Sequence, residues 1–425
     1  MKFKKNLLIG TLAALSLGVA HATTGSVTYF SGATSFQATT DAALLQYATN
    51  NGGNLVTWDN ATFGKETNAI YTYVTGGVTN QIIVHWAGSE NIIQALAAPS
   101  NNPVKFNYYG TNAPAGLVSV TNATNSQSPQ AALYDNAQGT SFFNGNSAGD
   151  GRTYGSIQND TPVAVEGYVW IANTNWPVAA TTNATVTAGV STNVITYGNI
   201  TSAQVRELFS AGAVPLAYIT GNAGDTTNAV FAFGRNIDGG TRTVWFNETG
   251  LGVQTPVVQY QLVVTNGLNK LNLYPIETID GISSGTLGNS GYSSDGTLRG
   301  LFTNALASGP GIDLSGSFVG YAGNNYFIGY SSTHNATGSA GVKFLTYNGV
   351  VPSSANVENG TYSGWAFARV GESATASTTA SHGVATSVES IIQSFTDAQL
   401  GAGNAKISNL QVNRDSDGGN IYPIY

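Results

Sequence analysis

Residues 232 to 250, AFGRNIDGGTRTVWFNETG, gather Arg235, Asp238 and Arg242 around paired glycines, in a chain where only 9% of residues are Asp, Glu, Lys or Arg. A guanidinium fork beside a glycine turn suits a tetrahedral oxyanion. Parallel N–H groups meet two of its oxygens, and the missing side chains let backbone N–H groups come close. Two other stretches share the design without the arginines. In YFSGATSFQ an apolar run ends in Ser31-Gly32-Ala33, and Thr34 or Ser35 is placed to cap a helix; in VHWAGSENIIQAL, Gly88 supplies the turn and Ser89 the cap, with Glu90 in the first turn. Thr241 is placed in the same way after Gly239 and Gly240. Hydroxyls at helix starts serve first as caps, and the arginines have an alternative use in surface ion pairs with Asp238 or Glu248. Such helix starts occurring together, one of them with arginines, point to an anion site.

Other chemistries find less support. The two Gly-X-Ser-X-Gly matches, around Ser147 and Ser283, lack a clear strand before and helix after, so a hydrolase nucleophile is a minor alternative. His85, His334 and His382 are scattered without a zinc-binding spacing, and no phosphate-loop or dinucleotide fingerprint occurs. RDSDGGN, with Asp415 and Asp417, lacks the downstream glutamate of a calcium loop and reads as a surface turn. Cysteine is absent, which excludes disulfides, thiol catalysis and cysteine-ligated metals. The expectation is a protein without metal or cofactor.

Several elements must position these residues. SVTYF, AIYTYV, QIIVHWA, VAVEGYVWIA, VFAFG and VVQYQLVV read as strands. Between them TSFQATTDAALLQYATNNG, SENIIQALAA, TSAQVRELFSAG, GTLRGLFTNALASG and ATSVESIIQSF read as amphipathic helices. The alternation predicts an α/β protein with mixed sheets flanked by helices. With 42% hydrophobic residues the chain can bury a full core, and its length fits two lobes. Residues 1–22 read as a secretory signal, with three lysines before an apolar run and Ala-His-Ala at the end. Loss of Lys2, Lys4 and Lys5 takes the formal charge from −7 to −10, which argues against nucleic acid as a partner. No later segment is apolar enough for membrane insertion. The 52 glycines and abundant Asn and Thr also fit an exported surface or structural protein.

The quoted loops resemble those of the periplasmic phosphate-binding proteins of ABC transporters, in the type II periplasmic binding-protein superfamily. SGATSF is similar to the family's first Gly-Ala-Thr-Phe loop, WAGSENIIQAL to its second, AALYDNAQGTSFF to its strand-then-aspartate segment, and RNIDGGTR to its Arg-X-Asp-Gly-Ser-Gly-Thr loop. PVAVEGYVWIAN resembles the strand that crosses between lobes, and GSFVGYAGN or YFIGYSS a Gly-Tyr strand late in the second lobe. The pattern departs in an extra residue between Arg235 and Asp238, in Gly239 for serine, in Asn91 for glycine, and in Asn/Thr-rich insertions at 104–130 and 176–196. The resemblance implies a two-lobed architecture with a ligand cleft, lobe 1 comprising 23–164 plus 366–425 and lobe 2 165–365, with hinges near PVAVEG and GTYSGWAF. It implies ligand-binding roles for Thr34 and Ser35 (hydroxyl and N–H), Ser89 (hydroxyl), Arg235 (cation) and Gly240 with Thr241 (further donors). Asp135 would accept the proton that phosphate retains and sulfate lacks. A periplasmic or secreted, non-enzymatic binding protein for inorganic phosphate or a similar oxyanion, delivering it to an inner-membrane ABC permease, is the implied function.

Overall fold

The computed structural model describes residues 25–58, 65–98, 104, 106, 127–146, 148–187, 190–265, 268–279, 281–303, 312–313, 323–337, 339–373, 375 and 377–425. The expected signal segment 1–22, Ser147 and most of the expected 104–130 insertion lie outside them. The chain opens with β1 (Val27–Ala33), α1 (Gln37–Asn50), β2 (Leu55–Trp58), β3 (Asn68–Thr75), β4 (Val78–Ala87), α2 (Ser89–Ala97) and β5 (Ala131–Tyr134). It continues through β6 (Gln158–Ala172), β7 (Thr181–Thr187), β8 (Val190–Ile200), α3 (Ser202–Ala211), β9 (Ala213–Pro215), α4 (Leu216–Thr220), β10 (Ala229–Ala232) and α5 (Gly240–Glu248). Next come β11 (Tyr260–Thr265), β12 (Leu268–Leu273), β13 (Thr278–Ile279), β14 (Ile282–Ser283), α6 (Asp295–Thr303), β15 (Ile312–Asp313), β16 (Asn325–Ser332) and α7 (Thr333–Thr337). The last third holds β17 (Lys343–Tyr347), α8 (Ser354–Glu358), β18 (Trp365–Glu372), α9 (Thr379–Ser394), α10 (Asp397–Leu400), β19 (Val412–Arg414) and β20 (Ile421–Pro423).

The architecture is the expected mixed α/β one. A large sheet runs in the order β2-β3-β4-β1-β5-β18-β6-β16-β10-β9, with β17, β8 and β7 attached beside β6. β1 pairs in parallel with β4 and β5, and β10 with β16, while β18 and β16 run antiparallel to β6. β6 spans the sheet. Its first part pairs with β18 as far as Gly167, and its last five residues pair with β16, so one strand serves both ends. From Val163 onward β6 is buried on both faces, as its continuous apolar run requires.

Packing divides along that strand. One hydrophobic cluster draws on Phe30 through Ala164, Ala368 and Val370 of β18, and α9; others begin at Val165 and hold Trp170, Trp245, Phe231 and Trp365. Ala405, Leu410 and Val412 pack in the second cluster. Helices close by ordinary means where function asks nothing of them. Thr201 forms a capping box with Gln204 at α3, and Gly212, at φ +81°, ends that helix in a conformation that glycine tolerates. Among the described residues no helix is long and apolar enough to cross a membrane.

Candidate functional site

The helix starts expected to carry hydroxyl caps do not use them. The N-cap positions of α1, α2 and α5 are Phe36, Gly88 and Gly239, none with a side-chain cap bond. The capping roles of Thr34, Ser35, Ser89 and Thr241 are therefore corrected. Ser35 and Ser89 turn their hydroxyls to the two oxygens of Asp135 instead. A serine spent as a cap satisfies its own helix; these two leave the helix starts to other acceptors.

Asp135 follows directly on β5 and is 2% exposed. Its backbone N–H donates to Ser89 Oγ at 3.1 Å, and its carbonyl accepts the Tyr168 hydroxyl at 2.9 Å. The start of α5 lies against its carboxylate. A Cβ at Gly240 would stand 2.0 Å from Asp135 Oδ1 and 2.8 Å from Ser89 Cβ, so only glycine allows the approach. Glu90 N–H donates to Asp238 carbonyl at 3.2 Å, and a Cβ at Gly88 would meet that carbonyl at 2.1 Å, which seats the α2 start on the arginine loop. Burial raises the Asp135 pKa, opposed by the Ser35 and Ser89 hydroxyls and by the charge of Arg235.

Arg235 is 2% exposed, and its guanidinium donates from Nε to Tyr292 carbonyl and from Nη2 to Ser293 carbonyl, both at 3.0 Å, while its N–H donates to the Tyr330 hydroxyl. Arg242 donates to Arg235 carbonyl and Asn289 and lies over the Phe246 ring at 4.7 Å. The surface ion-pair alternative is thus replaced by buried cations held on carbonyls and an amide. Thr241 is buried near the start of α5, and Thr34 is half-buried, its N–H committed to Ala87 carbonyl at 3.0 Å. That commitment removes Thr34 N–H from the expected anion donors. Ser35, Ser89, Asp135 and Gly240 are brought together; Arg235 stands close enough to act on Asp135 electrostatically.

Several participants were missed. Glu90 is buried at the α2 start, accepting from Asn136, Ser141 and Phe142 N–H, and burial lifts its pKa to about 7 against those bonds. Glu166 on β6 and Asp295 at the start of α6 are buried beside Asp135. An acid inside the apolar run VAVEGYVWIA was a visible signal, because a strand buried on both faces carries a carboxyl at a cost. Ser283 is exposed and accepts from Gly285 N–H, Ser147 lies outside the described residues, and Asp417 is a buried acceptor and not a surface turn. Among the described residues no group of three His, Asp or Glu side chains is arranged to hold a metal ion.

No family model matches the chain, and no curated protein matches it. Solved structures do. A proposed phosphate ABC transporter substrate-binding protein from Clostridium perfringens, solved with bound phosphate, aligns at 13% identity and a TM-score of 0.47, covering 90% of this chain and 99% of its own. An ABC-type phosphate transport receptor from Vibrio cholerae aligns at 12% and 0.43, covering 88% and 96%, and PstS from Borrelia burgdorferi at 11% and 0.37, covering 88% and 95%. The functional reading below rests on the site's own side chains.

Proposed function

We propose that the protein is a two-lobed solute-binding protein that captures a small oxyanion, inorganic phosphate first, and presents it to an ABC-type permease. One observation carries the reading. Segments far apart in the chain, at Ser35, Ser89, Asp135 and Gly240, meet at a buried point that the starts of α1, α2 and α5 approach, with Arg235 acting on it. Aligned helix N-termini and a buried guanidinium stabilise negative charge, and a carboxyl among them accepts a proton from a ligand that still has one. We take the lobes as residues 23–164 with 366–425, and 165–365, hinged where β6 and β18 pair. Equilibrium dialysis of anion-stripped protein against labelled phosphate tests the reading. Saturable binding, displaced by phosphate and not by chloride, is expected; absence of binding by folded protein would sink it.

A second reading draws on the same geometry. Both oxygens of Asp135 already take serine hydroxyls, and Arg235 Nε and Nη2 already hold carbonyls. A closed, self-satisfied site fits an exported structural protein on this scaffold, which predicts assembly indifferent to anions.

A further inference from the structure

Glu166 is fully buried at the point where β6 changes partners: it stands opposite Ala366 of β18, whereas Tyr168, on the same face two residues on, stands opposite Ser332 of β16. The Tyr168 hydroxyl reaches two acceptors, Asp135 carbonyl at 2.9 Å and Glu166 Oε2 at 3.4 Å. In that second, long contact the hydroxyl donates to Glu166 Oε2 and shares its proton with Asp135 carbonyl. Glu166 Oε1 is buried with no hydrogen-bond partner. Asp295 Oδ2 accepts from Arg299 Nε and Ser331 Oγ, both at 3.0 Å, while its Oδ1 is likewise buried without a partner.

The charges around Glu166 can be followed element by element. Asp135 follows β5 and feels Arg235; Asp295 and its partner Arg299 belong to α6; Tyr168 lies on β6 itself; His334 on α7 is kept toward its neutral form by burial and by Arg299. Two carboxylates and two guanidiniums roughly cancel. A third carboxylate at the same place would be uncompensated, and burial followed by the charges of Asp135 and Asp295 pushes Glu166 well above the usual carboxylate range.

We propose that Glu166 is a specificity-determining residue of the cleft, a carboxyl that keeps its proton and donates it as a hydrogen bond to the bound oxyanion; this rests on the anion reading above. Neutral, it adds a donor without repelling the ligand. Ionised, it would add a negative charge and remove the donor, so affinity is present below its pKa and lost as pH rises through it.

Calorimetric titration with phosphate at about pH 6 and about pH 9 tests this on wild type, Glu166→Gln and Glu166→Leu. The ratio of variant to wild-type affinity cancels the ligand's own titration. Glu166→Gln keeps a donor and cannot ionise, so it should match wild type within about threefold at the lower pH and exceed it by about tenfold at the higher. Glu166→Leu should bind more weakly than both at the lower pH. Parallel profiles for wild type and Glu166→Gln, or wild-type binding by Glu166→Leu, overturn the proposal and leave the anion reading standing. Failure of all three to bind phosphate overturns that reading and this proposal together. Should Glu166→Gln not fold, wild type alone decides: phosphate heats at the higher pH in buffers of different ionisation enthalpy must show proton uptake beyond the ligand's own, and its absence is equally fatal.

Discussion

Two buried polar clusters sit on either side of the loop after β5, and they handle charge in opposite ways. At the tail, Arg414 pairs with Glu248 at 2.8 Å, donates to Trp365 carbonyl at 2.6 Å and Ser363 carbonyl at 3.1 Å, and lies over the Trp365 ring at 4.6 Å. Asp417 accepts from Ala137 N–H and the Thr140 hydroxyl, both at 2.7 Å, and Asn247 of α5 reaches Thr140 carbonyl at 3.1 Å. Nearly every polar atom there is spent, with Arg414 Nε and Trp365 Nε1 the exceptions, and the tail straps α5 to the loop that carries Asp135. Around Glu166 the acids outnumber what their arginines offset, and Glu166 Oε1, Asp295 Oδ1 and Asn136 Oδ1 are buried without partners. A matched buried pair holds a fold; an unmatched group of acids beside helix starts has capacity for a ligand.

Substitutions should separate the two clusters, the largest effects first. Arg414→Leu strands Glu248 in a buried site and should cost about 3–5 kcal/mol in denaturant unfolding, with phosphate affinity of the remaining folded protein unchanged. If affinity instead collapses while stability holds, the tail belongs to the site. Arg235→Ala should do the reverse, lowering phosphate affinity by about a hundredfold or more in calorimetry, in line with loss of a charge-assisted contact of roughly 3 kcal/mol. Gly240→Ala places a methyl 2.0 Å from the position of Asp135 Oδ1, which must then shift, and should abolish phosphate binding in calorimetry.

Smaller effects refine the contrast. Asp41, buried against Tyr71 at 2.6 Å, has its carboxyl raised to about 9 by burial, opposed by that bond and reinforced by Glu66. The native state then holds a proton that the unfolded chain releases near about pH 4, so stability falls as pH climbs between those limits. Asp41→Asn should flatten the decline of melting temperature between about pH 5 and about pH 9; an unchanged slope would place the linkage elsewhere. His382, exposed and paired with Glu372 at 2.8 Å, marks the lower end of the scale: its replacement by alanine should leave phosphate affinity unaltered.

Much of this was legible in the residues. Apolar runs and their glycine boundaries located β1, β4, β6, β10 and α1, α2, α3, α5 and α9, because burial on a sheet or a helix face imposes a periodicity that the sequence displays. The types gathered near Asp135 were legible because arginine is scarce in this chain and stands beside a glycine turn at a strand-to-helix junction. What the sequence hid was direction. A serine at a helix start reads as a cap, and only the packing of β5 beside β1 shows that Ser35 and Ser89 turn instead to a carboxylate 100 and 46 residues further along the chain.

 Glu166 stood out as an acid in an apolar run, but its neighbours were hidden, as was Asp295 altogether, because strands and helices far apart in sequence bring both to Asp135. Surface ion pairs were the alternative use of Arg235 and Arg242, and neighbouring carbonyls and an amide hold both instead, in the interior where arginine is seldom found.

The most direct test of the contrast is calorimetric titration of anion-stripped protein with phosphate and then sulfate, on wild type and Asp135→Asn. The account predicts saturable phosphate binding and little sulfate binding by wild type. Asp135→Asn should lose that preference, since an amide no longer accepts the proton that only phosphate brings. No heat with either anion from folded, anion-free protein would contradict the account, and would leave the cluster around Asp135 as internal structure like its neighbour at the tail.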